Sequence, residues 1–279
     1  MLEKAAHRFM EEKSCFARDL SSFAETLEGF VTQGGEWTIK GFIDVFSNVY
    51  TISSDTKVIS KILELHIFPK FIEFANHTGY TVELATHQNW YPDLTFVNNK
   101  NEDVKFALDL KTTYVNEKRP DYCNGFTLGS HGEYFISRDS AKNIQYPYNQ
   151  YSGHFCLGII YSRAALTHDV ELAKYTIDKL HDIPSVINGF TFFSTEKWQI
   201  ASDKRGSGNT ANIGSIKKIK DILSGNGVFA KAGEEIFDDY WANYGKIQIA
   251  GKDGTRKPMT SFDEYISYRG LSSDFKNEK

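Results

Sequence analysis

The chain has no long apolar stretch. Its longest unbroken run, Phe155 to Tyr161, has seven residues and includes a glycine, far short of the roughly 18 that a membrane helix needs. No membrane association is expected. The amino terminus interleaves Glu3, Lys4, Arg8, Glu11, Glu12 and Lys13 with apolar residues, so it lacks the continuous core of a signal peptide. Three cysteines, Cys15, Cys123 and Cys156, form no CxxC and no even-numbered framework, which fits a reducing cytoplasm. Six prolines are scattered, and no repeat or low-complexity tract marks a linker, so one main domain is the simplest organisation. There is no basic excess either. Thirty-two Lys and Arg stand against thirty-six Asp and Glu, for a net charge of -4, which excludes a coat-like, sequence-blind nucleic-acid binder.

Several catalytic signatures are also missing. The chain has no GxxxxGK[ST] phosphate loop, no HExxH and no GxSxG elbow, which weakens nucleotide-driven, zinc and serine-hydrolase chemistry. The run Gly206-Ser-Gly-Asn-Thr-Ala-Asn-Ile-Gly is not a dinucleotide loop, because its third glycine is misplaced. It does lie in a locally basic stretch. From Lys197 to Lys220 there are six basic residues, Lys197, Lys204, Arg205, Lys217, Lys218 and Lys220, and one acid, Asp203.

What is present reads as a mixed α/β chain of 41% apolar residues, enough to build a sizeable core. Leu2, Ala5, Ala6, Phe9, Met10, Phe16, Leu20, Phe23 and Leu27 recur at mostly three- and four-residue spacings, which predicts an amphipathic helix over 2–31, with room for an interruption and a stop at Gly34-Gly35. Residues 37–50 are rich in β-branched and aromatic side chains and read as one or two short strands. Ser54 or Asp55 caps a helix running to Thr78 and ended by Gly79, with Pro69 expected to kink or divide it and Glu64 in its middle. Strands are expected at 81–85, 93–97, 104–115, 155–163, 190–194 and 197–201, and helices near 215–223 and 234–244.

The strands at 93–97 and 104–115, joined by the turn-rich Asn98-Asn-Lys-Asn-Glu-Asp, make a hairpin. The antiparallel register that sets Leu94 against Leu108 also sets Phe96 against Phe106, which makes one face apolar. It sets Asp93 opposite Asp109 on the other face, with Lys111 two residues on and pointing the same way. Directly opposed Cβ atoms lie about 4.5 to 5.5 Å apart, so two ionised carboxylates repel unless one is protonated or a cation lies between them. Oxygen ligands suit Mg²⁺, which uses one or two carboxylates and completes its shell with water and phosphate oxygens. Phosphodiester hydrolysis follows, with Lys111 orienting the nucleophile or neutralising charge on phosphorus. A lone D-x-K is more often a solvated surface pair worth at most about 1 kcal/mol. The apolar partition of this hairpin shifts the balance toward a site.

Tyr91-Pro92-Asp93, fifteen residues, then Asp109-Leu110-Lys111 resembles the PD...(D/E)xK signature of restriction endonucleases and related nucleases. The surrounding runs narrow the resemblance: Ser54 to Val58, Gln88-Asn89, Asp109 to Tyr114, Phe126 to Gly129, Lys142 to Ile144, Tyr146-Pro147, Gln150-Tyr151, Gly206 to Thr210, Asn212 to Ser215 and Asp239 to Trp241 with Asn243-Tyr244. In order and spacing, over residues 39–244, they are similar to the EcoRV-like type II restriction endonucleases of the PD-(D/E)xK superfamily.

That resemblance implies a central mixed β-sheet flanked by helices, a restriction-endonuclease-like fold with a small dimerisation subdomain. The expected layout is an amino-terminal helical extension over 1–36 and the endonuclease domain over 37–279. Within that domain 37–50 and part of 155–180 dimerise, 203–215 carry the recognition loop, and 245–279 form a divergent tail. The implied activity is that of a Mg²⁺-dependent homodimer, with Mn²⁺ as a substitute, that cuts both strands of double-stranded DNA at a palindrome. Its target would be GATATC, cut at the centre to blunt 5′-phosphate ends. Asp93 and Asp109 would hold the metal, the Leu110 carbonyl would add a ligand, Lys111 would assist the chemistry, and Glu64 would be an accessory acid and metal ligand. Gly206, Ser207, Gly208, Asn209, Thr210 and Asn212 would read the major groove. Gln88 and Asn89 would approach the minor groove, and Thr113 and Lys142 would also contact DNA. A cognate DNA methyltransferase is expected in the same host, though not as a physical partner. Ala211 stands where the family has a second threonine. Two other readings stay open: a less specific repair or recombination nuclease on the same hairpin, and a DNA-binding module that does not cut.

Overall fold

The computed structural model describes residues 2–87, 89–166, 172–206, 211–251 and 255–275. Helix α1 (Leu2–Val31) is uninterrupted, and Gly34 and Gly35, both at positive φ, turn the chain into a small hairpin of β1 (Thr32–Gln33) and β2 (Glu36–Trp37). Strands β3 (Gly41–Ile43) and β4 (Asn48–Thr51) pair with each other, and β11 (Lys174–Thr176) completes their sheet. Helix α2 (Thr56–Thr78) begins where the Asp55 carboxylate accepts from the Lys57 and Val58 N–H groups and ends at Gly79, which adopts the left-handed conformation. Pro69 lies inside α2 without dividing it. The carbonyl it leaves unbonded is that of Leu65, an exposed residue, so water can satisfy it.

The central sheet runs β1, β2, β12 (Ile187–Glu196), β10 (Gly153–Arg163), β7 (Lys105–Asn116), β6 (Leu94–Asn98), β5 (Tyr80–Leu84), with β8 (Arg119–Cys123) pairing off β7. Only β10 and β7 are parallel; the other pairs are antiparallel, so the sheet is mixed. Alternation along β7 assigns its side chains to two cores. Phe106, Leu108 and Leu110 join Phe16, Leu20, Leu27 and Val31 of α1 and Ile59, Leu63 and Phe71 of α2. Ala107 instead joins the carboxyl-terminal half of the chain, including Phe193, Ile213, Tyr240 and Trp241. The sheet therefore has a packed layer on each face, the arrangement of a restriction-endonuclease-like α/β fold. The first helix, set apart from 37–279 on sequence grounds, is structurally part of the first core. Phe16 stacks on Phe106 at 4.2 Å between ring centroids and meets Tyr80, Phe96 and Phe155 at 5.2 to 5.4 Å. Phe16→Ala should therefore cost about 3–5 kcal/mol of stability in urea unfolding; a loss below about 1 kcal/mol would show that α1 is an appendage.

Two elements depart from expectation. Residues 197–201 are expected as a strand, but Lys197–Ile200 form one helical turn. A reciprocal cap starts it, in which the Gln199 side chain accepts from the Glu196 N–H and the Glu196 side chain accepts from the Gln199 N–H. The expected helix near 215–223 is shorter, Ile219–Leu223, because Ser215 ends β14 (Asn212–Ser215), where it pairs with Ala201 at the start of β13 (Ala201–Arg205). Strand β9 (Thr127–Ser130) completes that sheet.

Candidate active site

The hairpin register is the one expected: Leu94 faces Leu108 and Phe96 faces Phe106. Just before β6, Tyr91 is anchored by its N–H donating to the Asn143 carbonyl at 3.1 Å and its carbonyl accepting from the Gln145 N–H at 2.8 Å. This delivers Asp93 to the open end of the hairpin. The Asp93 N–H donates to Asp109 Oδ1 at 3.2 Å, and Asp93 Oδ2 accepts from the Leu110 N–H at 2.8 Å. Because the N–H and C=O of one strand residue point to the same side, the Leu110 carbonyl also faces Asp93.

Lys111 joins them. Its Nζ lies 3.0 Å from Asp109 Oδ2 and 3.9 Å from Asp93 Oδ2. Burial opposes the ammonium charge, but Asp109 and Asp93 outweigh it and hold the Lys111 pKa above its usual value. Asp93 is pushed up to about 6 by burial and then by the Asp109 charge, against the pull of Lys111 and of the Leu110 N–H. The site thus holds two acids in conflict and one cation between them. Glu64 stands apart. It pairs with Lys61 at 2.6 Å on the surface of α2, though it is near enough to add to the charge that raises Asp93. Among the described residues no three His, Cys, Asp or Glu side chains converge as a metal cage.

These acids open into a groove of about 690 Å³, whose walls include Asn89, Lys142, Asn143 and Asn212. Three of the expected DNA-facing residues, Asn89, Lys142 and Asn212, therefore share one concavity with Asp93, Asp109 and Lys111. The base of the loop expected to read DNA is closed by the Gly206 N–H donating to the Asn212 carbonyl at 2.8 Å, and the His131 N–H donates to the Ala211 carbonyl at 2.7 Å. Gln88, Ser207, Gly208, Asn209 and Thr210 lie outside the described residues. Thr113 points to the same sheet face as Asp109 but is buried, opposite Ile160 of β10.

Residues 33–270 match the family profile described as restriction endonuclease EcoRV. The type II restriction enzyme EcoRV of Escherichia coli is 38% identical over 252 residues, covering 90% of this chain and 99% of that protein. This chain belongs to the EcoRV family of restriction endonucleases. It is accordingly a hydrolase that cuts within DNA as part of a restriction system. The profile match continues past Tyr244, where the sequence resemblance fades, into the helix Phe262–Arg269.

Two groove residues were not singled out from the sequence. Glu133 lines the groove and holds Lys142 at 2.7 Å, and Asn143 reaches it from a positive-φ backbone. Glu133 lies outside the matched runs, Asn143 lies in Lys142 to Ile144 without a role of its own there, and the placement of both depends on how the segment after β9 folds back over Tyr91. Lys197 is a third surprise. It belongs to a basic run, but the structure buries it.

Proposed function

We propose that this EcoRV-family endonuclease is a Mg²⁺-dependent homodimer that cuts both strands of GATATC at the centre, leaving blunt ends with 5′-phosphates, and that Mn²⁺ substitutes for Mg²⁺. The observation that carries the chemistry is the pair of opposed carboxylates with Lys111 beside them. Their fit to the ion rests on the donor set: Asp93, Asp109 and the Leu110 carbonyl are all oxygen ligands, few enough to suit a cation that keeps most of its water. Glu64, paired with Lys61 on the surface of α2, would serve as the accessory acid. When bound, the ion supplies charge neutralisation and a more acidic water.

The chain's own groups do the rest. Asp93 and Asp109 would hold the cation through their carboxylate oxygens. The Lys111 ammonium, 3.0 Å from Asp109, would donate to a non-bridging oxygen and offset the charge that builds on phosphorus. Water oxygen bonds to phosphorus, the bond to O3′ breaks, the water loses a proton to solvent and O3′ gains one. The products are a 3′-hydroxyl and a 5′-phosphate.

Recognition follows the resemblance of the loop at 206–212. Glycine permits close approach to base edges, Asn209 can pair with donor and acceptor groups there, and Thr210 can touch a thymine methyl. The central TA step is flexible, so bending it costs less than bending stiffer steps. Asn89 and Gln88 would serve the minor groove and Lys142 the backbone. Two-fold symmetry matches a palindrome, and the exposed apolar residues of β3 and β4 supply a surface for it. A plasmid with one GATATC should linearise with Mg²⁺, and its twin lacking the site should stay supercoiled. A smear from both plasmids would favour the less specific nuclease, and fragment ends mapped elsewhere than the centre would correct the cleavage position.

A further inference from the structure

Lys197 lies at the start of the one-turn helix that follows β12, and its Nζ has no hydrogen-bond partner among the described residues. Three aromatic rings surround it, with centroids 4.8 Å (Tyr148), 4.9 Å (Tyr91) and 5.6 Å (Phe135) from Nζ. Ring faces attract a cation, but they do not replace the water that an ammonium loses on burial. Burial lowers Lys197 to about 8, while the charges of Asp109 and Asp238 work against that fall. A methionine of similar length would fill the same cage without a buried charge. The fold therefore has no use for this cation that an apolar side chain would not serve as well.

What the charge faces is the catalytic hairpin. Tyr91 stands two residues before Asp93, and its hydroxyl is 2.8 Å from His154 Nδ1. His154 lies beside Ala107, two residues before Asp109. Asp109 is the charge that acts most strongly on Lys197; Asp238, Arg138 and Glu234 follow. Arg138 and Asp238 pair with each other at 2.9 Å, so their fields largely cancel. His154 is held neutral, because burial drives its pKa well below the usual value.

We propose that Lys197 is a positioning residue for DNA cleavage. In its ammonium form it is a positive charge on the Asp109 face of the sheet, caged by Tyr91, Phe135 and Tyr148 where it cannot move onto the substrate, that loosens the grip of the two carboxylates on a divalent cation and offsets negative charge at the reacting phosphate. Lys111 can swing between Asp109 and DNA; Lys197 cannot. This inference rests on the assignment of Asp93 and Asp109 as the metal-holding acids.

The test uses the full chain and three variants. Lys197→Met keeps the length and removes the charge. Mn²⁺ binding without DNA, followed by electron paramagnetic resonance, should tighten by about five-fold, as expected for one nearby charge at an effective interior dielectric. Cleavage at saturating Mg²⁺ should slow by roughly ten-fold, and the thermal midpoint should be no lower than that of the wild type. Lys197→Arg keeps the charge and should restore Mn²⁺ affinity to within about two-fold of wild type. Unchanged Mn²⁺ affinity in Lys197→Met, a Lys197→Met chain that does not fold, or an equal change in Lys197→Arg would each overturn the inference. Wild-type protein that binds no Mn²⁺, or an Asp109→Ala variant that still binds it as tightly, would remove the metal site and this inference together.

Discussion

Asp109→Ala is expected to bind DNA and leave it uncut. The buried carboxylate lines the groove, accepts the Asp93 N–H and holds Lys111 at 3.0 Å, so its removal takes away the proposed metal donor and the group that stations the lysine. Metal-assisted stabilisation of a pentacovalent phosphorus is worth several kcal/mol. At 1.36 kcal/mol for each factor of ten, the cleavage rate should fall by roughly a thousand-fold or more. Affinity should move the other way, because a negative charge facing the phosphates has gone; a gain of a few-fold in a gel shift with EDTA, at stated salt, is expected. The fold should survive, since Asp93 remains as a partner for Lys111. Cleavage within about ten-fold of wild type would remove Asp109 from the chemistry. A variant that neither cuts nor binds would instead point to damage in the groove, which near-ultraviolet circular dichroism would detect.

Much of this site was legible because strand chemistry is periodic. Once Leu94 and Leu108 share an apolar face, Asp93 and Asp109 must meet on the other, and Leu94 does pair with Leu108. The caps of α2 were equally readable, because Asp55 and Gly79 act through local backbone geometry. Long-range placement was not. The pattern of α1 shows an apolar stripe but not that Phe16 ends among five other rings, Phe74 of α2 and Tyr80, Phe96, Phe106 and Phe155 of the central sheet. The second partner of β4, Lys174–Thr176, lies more than a hundred residues away and has no distinctive composition. At 197–201, Trp198 and Ile200 read as strand, while the signal that decided the structure was Glu196 three residues before Gln199. Lys197 was hidden for a different reason: a lysine in a basic run is expected in water, and only the assembled cage of Tyr91, Phe135 and Tyr148 shows otherwise.

Replacing both Val45 and Phe46 with aspartate should convert the proposed dimer to monomers. In the single chain these side chains are 91% and 82% exposed, and Phe42, Ile43 and Tyr50 add apolar surface on the same small sheet. The turn that presents them is firmly built. Asp44 Oδ1 accepts from the Phe46 and Asn48 N–H groups at 2.9 Å, and Oδ2 accepts from the Tyr50 hydroxyl at 3.0 Å. Such apolar residues on a rigid turn gain about 1.5–3 kcal/mol each when fully buried. Two-fold symmetry counts every substitution twice, and the new carboxylates add repulsion between copies. The dimer dissociation constant should rise by roughly a thousand-fold or more, read by sedimentation equilibrium. Each folded chain should keep the thermal behaviour of a monomer, because the altered side chains touch little within it. Double-strand cleavage of a GATATC plasmid should fall in step with dissociation and recover at high protein concentration, whereas an inactive site would not recover. A variant that stays dimeric at wild-type concentrations would move the interface away from β3 and β4 and leave the nuclease assignment intact.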